Sequence, residues 1–110
     1  MPIGVPPPRR VTPEVHNRWR HAEDFCRERL KSDPGFDVAS YFYDCRLGWL
    51  ELIKSLRALR DVGMCDAQRE ALENPRWHAW VLFRIRTEPA CAKEARAHIR
   101  LHGDASLIKL

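Results

Sequence analysis

The stretch that decides the fold class is Asn74–Arg86, NPRWHAWVLFRIR. As a strand it would place alternate apolar side chains on one face, namely Trp77, Ala79, Val81, Phe83 and Ile85. As a helix it is apolar nearly all round, which is typical of a central, buried element. A lone strand among helices would leave its backbone N–H and C=O groups unpaired. We therefore predict a helix, with Asn74 as its N-cap and Pro75 at its first position.

An amphipathic pattern earlier in the chain predicts the first helix. Thr12-Pro13-Glu14 combines an N-cap residue, a proline suited to the first helical position and an early acid. Apolar residues then recur every three or four positions, at Val15, Trp19, Ala22, Cys26 and Leu30. Ser32-Asp33-Pro34-Gly35 ends the helix, because proline cannot continue the hydrogen-bond ladder and glycine reverses the chain.

The second predicted helix is the longest element and runs from its N-cap Asp37 to about Asp61. Its apolar stripe has a heptad-like spacing and consists of Val38, Phe42, Cys45, Trp49, Leu52, Leu56 and Leu59. Gly48 lies inside this helix at a cost of about 1 kcal/mol relative to alanine, which a close helix crossing would explain. Gly63 is predicted to cap the C-terminus.

Two shorter helices are predicted on either side of the deciding stretch. One spans Asp66–Glu73, with the aspartate as its N-cap. The other opens at Thr87-Glu88-Pro89, closes at His102-Gly103 and is rich in alanine, which favours close packing. We therefore expect an all-α fold, a small bundle of four to five helices that spans 12–110 as a single domain. A disordered, proline-rich arm over residues 1–11 precedes it.

The composition bounds the class of protein. The chain has 110 residues, 45% apolar and 31% charged, which excludes collagenous, fully disordered and disulfide-scaffold proteins. It contains no apolar run near the roughly 20 residues that cross a bilayer, and its start lacks a signal-peptide pattern. The four cysteines are spread along the sequence without a secretion signal, which favours reduced thiols. We expect a cytoplasmic protein without a membrane partner.

The net charge of +4 is concentrated in the last third of the sequence. From Pro75 onward it contains seven basic residues and three acidic ones. The candidate nucleic-acid-binding residues in this region are Arg84, Arg86, Lys93, Arg96 and Arg100. Arginine can bind phosphates with two parallel hydrogen bonds, and the neighbouring tryptophans could stack on bases. The alternative interpretation is an ordinary solvated helix face.

A helix-turn-helix over Leu59–Leu72 is a weaker indication of nucleic-acid binding. Gly63 lies at the turn, as that motif requires. However, Arg69 occupies a position where a recognition helix usually buries Val or Ile, and Asn74-Pro75 would end the helix early.

A histidine pair provides the strongest candidate for a metal site. Cys91, His98 and His102 project from one face of the last predicted helix, and an i, i+4 histidine pair can bind one zinc ion. Such a site needs further ligands, and no nearby Cys-x-x-Cys supplies them. Packing beside Ala95 and Ile99 is the simpler interpretation, so we predict no metal and no cofactor.

The second predicted helix carries an unexpected second row beyond its main stripe, about half a turn around, formed by Tyr43, Leu47, Leu50 and Lys54. A surface helix should be polar there, so either another helix of the chain or a partner covers the row. The sequence also lacks a Gly-rich phosphate loop, a Gly-x-Ser-x-Gly motif and paired carboxylates framed by a glycine-lined pocket. We expect a non-enzymatic protein-interaction module, an adaptor or inhibitor that occupies a surface of a larger assembly. A homodimer across the long helix and a nucleic-acid-binding regulator are the alternatives.

Overall fold

The chain forms six α-helices within residues 13–106 and 108, the part that the computed structural model describes. The helices are α1 Pro13–Ser32, α2 Val38–Asp44, α3 Trp49–Arg60, α4 Met64–Glu73, α5 Pro75–Thr87 and α6 Pro89–His102, followed by a 3₁₀ turn at Gly103–Ala105. The all-α prediction is confirmed for this part of the chain, which contains no strand. The predicted arm over 1–11 lies outside the described residues.

The deciding stretch is a helix, as predicted. The Asn74 side-chain oxygen caps α5 by accepting hydrogen bonds from the backbone N–H groups of Arg76 and Trp77, at 3.0 and 3.3 Å. The Trp77 side chain is buried, and its indole Nε1 donates to the Ala39 carbonyl oxygen at 2.7 Å. This bond joins α5 to α2 through the interior of the molecule.

The prediction of one continuous helix from Asp37 to about Asp61 is wrong, because residues 45–48 are not helical and separate α2 from α3. Arg46 adopts a left-handed conformation with φ of 58°, and the Leu47 N–H donates back to the Phe42 carbonyl at 3.1 Å. The apolar spacing survives the break because both short helices present these side chains to the same core. The break also explains why the helix count is six instead of four to five.

The predicted roles of two glycines and one aspartate are wrong as well. Gly48 and Gly63 are N-caps with extended backbone, at φ of −91° and −80°, and they begin α3 and α4. Asp61 ends α3 instead, in a left-handed conformation with φ of 53°, which aspartate tolerates better than most residues. Asp66 therefore lies in the first turn of α4 and is not its cap.

The core is one cluster of buried side chains to which α1 to α5 contribute. α1 packs against α2 and α3, α3 packs against α4, and α5 packs against α2, α4 and α6. The largest fully buried hydrophobic residues of this core are Phe42, Leu52, Ile53, Leu56, Val38 and Cys26. Within residues 13–106 and 108, no helix combines the length and the hydropathy that crossing a membrane requires.

Polar side chains join helices that are distant in the sequence. The Trp19 indole Nε1 donates to the Ser55 hydroxyl at 2.7 Å, and that hydroxyl donates to Glu23 at 2.6 Å, which links α1 to the middle of α3. Arg60 at the end of α3 pairs with Glu70 on α4 at 3.1 Å. These bonds fix the α1–α3–α4 side of the bundle.

Leu47 and Leu50 lie three residues apart, yet Leu47 is 4% exposed and Leu50 is 51% exposed. We expect Leu47→Asp to lower the free energy of unfolding by about 3–5 kcal/mol, because it places an unpaired charge in the core. Leu50→Asp should change that free energy by less than about 1 kcal/mol. Urea unfolding followed by circular dichroism measures both variants. Equal losses would contradict the burial of Leu47.

Burial, followed by the nearby Cys45, raises the pKa of the Cys26 thiol from 9.0 to about 12. The unfolded chain therefore loses this proton at a lower pH than the folded chain does. Between pH 9 and about 12, the free energy of unfolding should fall as the pH rises, by up to about 1.4 kcal/mol per pH unit. Cys26→Ala removes this contribution, so its deficit relative to the wild type should shrink between about pH 8 and about pH 10.5. A deficit independent of pH in urea unfolding would refute the shift.

Candidate functional site

An apolar groove with a cavity volume of about 410 Å³ opens between α3, α4, α5 and α6. Its apolar walls are formed by Trp49, Leu50, Leu72, Val81, Ile85 and Ile108. The volume falls within the range of about 300–1,000 Å³ that is typical of ligand pockets. Leu50 lines the groove and is also half exposed, so the apolar lining reaches the surface there.

Trp80 is the buried aromatic side chain of this groove, at 6% exposure. Its ring stacks on Trp49 with centroids 6.1 Å apart and meets Trp77 edge-on at 5.6 Å. Because Trp77 is itself bound to Ala39, the position of Trp80 follows from the way α5 is anchored to α2.

The polar end of the groove lies one helical turn further along α5. The Arg84 guanidinium lies 5.2 Å from the centre of the Trp80 ring, and its Nη2 donates to Glu88 at 2.6 Å. The Cys91 thiol donates to the same Glu88 oxygen at 3.4 Å. The bond from Arg84 lowers the pKa of the Glu88 carboxyl, whereas burial, followed by the bond to Glu88, raises the pKa of the Cys91 thiol. These contacts thus favour the charged form of the Glu88 carboxyl and the protonated form of the Cys91 thiol.

Two buried hydrogen-bond donors in this region have no acceptor. The Trp80 Nε1 and the Arg84 Nε are both inaccessible, and neither donates to any residue within 13–106 or to residue 108. More than nine in ten buried polar groups in native proteins are paired, and an unpaired one costs about 1–3 kcal/mol. Two such donors on adjacent turns of one helix therefore mark the polar end as chemically incomplete.

The segment after α6 forms one wall of the groove. The hydroxyl of the buried Ser106 donates to the Ile108 carbonyl at 3.0 Å and accepts from the Ile108 N–H at 3.2 Å. His98 Nδ1 lies 2.8 Å from that hydroxyl. The Ser106 hydroxyl therefore engages both the His98 ring and the Ile108 backbone. This network holds Ile108 against the groove.

The predicted partner-binding row does not form one helix face, because the break between α2 and α3 divides it. Tyr43 on α2 packs edge-on against Trp77 and lies under the guanidinium of Arg76, whose Cζ is 4.1 Å from the ring centre. Leu47 turns into the core. Leu50 and Lys54 are exposed on α3, so of the four only Leu50 lines the groove.

The five basic residues also fall into two groups. Arg84 lines the groove and is paired with Glu88. The others are exposed and form no ion pair with the described part of the chain, and they are Arg86, Lys93, Arg96 and Arg100. The α6 members of this group lie on the helix face opposite the groove-lining Cys91, Ala95 and His98.

The structure brings two of the three candidate metal ligands together. The rings of His98 and His102 have centroids 4.3 Å apart, but Nδ1 of His98 is bonded to Ser106 and Cys91 is bonded to Glu88. Over residues 13–106 and 108, no three His, Cys, Asp or Glu side chains converge as a metal site would require.

Sequence reasoning missed Trp80 and Glu88 as site residues. The i, i+4 spacing of Arg84 and Glu88 predicts a helical ion pair only if α5 continues to its observed end, whereas our predicted stretch stops at Arg86. The sequence predicted Trp80 only as part of a buried helix. It could not predict a groove there, because the groove arises from the packing of four helices.

Comparison with known proteins adds no relative to this description. No protein-family model matches the chain, and neither the curated proteins nor the solved structures yield a significant match.

Proposed function

We propose that the chain is a non-enzymatic protein-interaction module, an adaptor or inhibitor, that receives a segment of a partner protein in its apolar groove. The supporting observation is the half-exposed Leu50 next to an aromatic wall made by Trp49 and Trp80. Pockets lined in this way take up the few apolar side chains that carry most of the affinity of an interface. Desolvation of Leu50 and of the tryptophan wall would provide the driving force.

The thiol in the groove supports binding over covalent catalysis. Cys91 lines the cavity, and burial together with its hydrogen bond to Glu88 raises its pKa. Because the thiolate is the nucleophilic form, a thiol that holds its proton is a poor nucleophile. This chemistry favours a receptor for an apolar segment.

Leu50→Asp should strongly reduce capture of the partner, since it places a charge in the apolar lining of the groove. Leu101→Asp is the matched control, because Leu101 is 79% exposed on α6 and does not line the groove. The measurement is affinity capture from nuclease-treated lysate by the wild type and both variants, with identification of the bound proteins.

We expect Leu50→Asp to reduce a specific captured protein at least about tenfold, while Leu101→Asp retains it. Equal capture by all three proteins would refute docking in the groove. If the wild type sediments as a dimer that Leu50→Asp dissociates, the occupant is a second copy of this chain.

Nucleic-acid binding is a second candidate function, favoured by the exposed basic face of α6. Lys93, Arg96 and Arg100 follow an i, i+3, i+7 spacing, and no carboxylate of the described residues pairs with them. Cations that are not neutralised within the protein can contact phosphates and release counterions. This face is separate from the groove.

Replacing Lys93, Arg96 and Arg100 by glutamine should weaken binding to a fluorescent single strand of about 20 nucleotides and reduce the salt slope by about 2 to 3. The control variant replaces Arg18, Arg20 and Arg57 by glutamine, which removes the same charge from other exposed positions. Fluorescence anisotropy at increasing salt measures both. No binding by the wild type at about 50 mM salt would exclude this function.

A further inference from the structure

The polar end of the groove has the composition of a hydrogen-bonding subsite. Trp80 is 6% exposed, and its Nε1 lacks an acceptor among residues 13–106 and 108. By contrast, the Trp19 indole donates to Ser55 and the Trp77 indole donates to Ala39. The missing partner of Trp80 is therefore a local property of the groove and not a general feature of the tryptophans in this molecule.

Arg84 supplies a second donor at the same place. Its Nη2 is bonded to Glu88, whereas its Nε has no acceptor in the described chain. Its guanidinium lies 5.2 Å from the Trp80 ring centre and both residues line the cavity, so the two donors belong to neighbouring side chains of one site. Both donor atoms are buried, so an acceptor reaches them only if side chains at this end shift, and the Arg84 side chain, at 27% exposure, is in contact with solvent.

The charges around this end determine which acceptor fits. Glu88 already neutralises Arg84, and Glu94, a second carboxylate, lines the same cavity. The Nδ1 atom of His98 is engaged by the Ser106 hydroxyl, so it offers no donor to a ligand. An incoming carboxylate would meet a neutral to negative surface, whereas an uncharged carbonyl would satisfy the two donors without repulsion.

We propose that the subsite formed by Trp80 and Arg84 binds an uncharged carbonyl oxygen of the partner segment that enters the groove. This inference rests on the proposed docking function and specifies its chemistry. The apolar walls take an aromatic or aliphatic group, and the carbonyl next to that group accepts hydrogen bonds from Trp80 Nε1–H and Arg84 Nε–H. A peptide carbonyl beside an apolar side chain has this composition.

Three probes of nearly identical shape test the subsite without knowledge of the partner. They are 2-acetylnaphthalene with an uncharged acceptor, 2-isopropenylnaphthalene without an acceptor, and 2-naphthoate with an anionic one. Each is titrated into the wild-type protein while the indole N–H resonances of the four tryptophans are recorded by ¹⁵N–¹H correlation spectroscopy. The Trp80 resonance is assigned by its loss in Trp80→Phe.

We expect the ketone to bind about fivefold more tightly than the alkene, and more tightly than the carboxylate. The ketone alone should move the Trp80 indole proton downfield. Trp80→Phe should abolish the preference for the ketone, and Arg84→Lys, which keeps the charge but removes Nε–H, should reduce it. Trp19→Phe, which removes an indole outside the groove, should leave the preference unchanged.

Equal affinity of the wild type for ketone and alkene would overturn the subsite, whatever Leu50→Asp does to partner capture. Tightest binding of 2-naphthoate would overturn the choice of an uncharged acceptor. If the preference for the ketone is retained but Leu50→Asp captures the partner as well as the wild type does, the docking function is overturned instead. The comparison of the three probes needs only the wild-type protein, so misfolding of a variant does not decide the outcome.

Discussion

One side chain, Trp77, sets the relative positions of three helices. Its indole N–H is bonded to Ala39 on α2, its ring meets Tyr43 on α2, and it packs against Trp49 on α3 at 5.9 Å and against Trp80 on its own helix. Residues of α2 and of α3 contact the same ring because the non-helical residues between the two helices change the direction of the chain. The groove beside Trp80 is thus a consequence of how Trp77 is buried.

Local signals in the sequence predicted the parts of the fold that depend on neighbouring residues. The Asn74-Pro75 cap placed the start of α5 correctly, because a cap involves only the next three residues. The break between α2 and α3 was missed because Arg46 adopts its left-handed conformation to let Leu47 and Trp49 enter a core built by distant helices. A heptad-like spacing cannot distinguish one long helix from two short ones that face the same core. The groove was missed for the same reason, whereas Leu50 was found because an exposed leucine is visible in the pattern itself.

The two candidate surfaces lie back to back on α6. Cys91, Ala95 and His98 face the groove, whereas Lys93, Arg96 and Arg100 face solvent on the other side. A single rigid partner cannot cover both faces of one exposed helix, so the two proposed functions use independent interfaces. The net positive charge of the last third of the chain is therefore located away from the groove, where Arg84 is paired with Glu88 and Glu94 adds a second carboxylate.

The tryptophan cluster also gives the molecule an intrinsic optical signal. Three of the four tryptophans, Trp49, Trp77 and Trp80, lie with ring centroids between 5.6 and 6.1 Å apart. Electronic excitation migrates between indoles this close, and their coupled transitions produce strong circular dichroism in the near ultraviolet. Two of the three rings line the groove. Binding of a ligand in the groove should therefore change the fluorescence and the near-ultraviolet circular dichroism of the cluster, without a label.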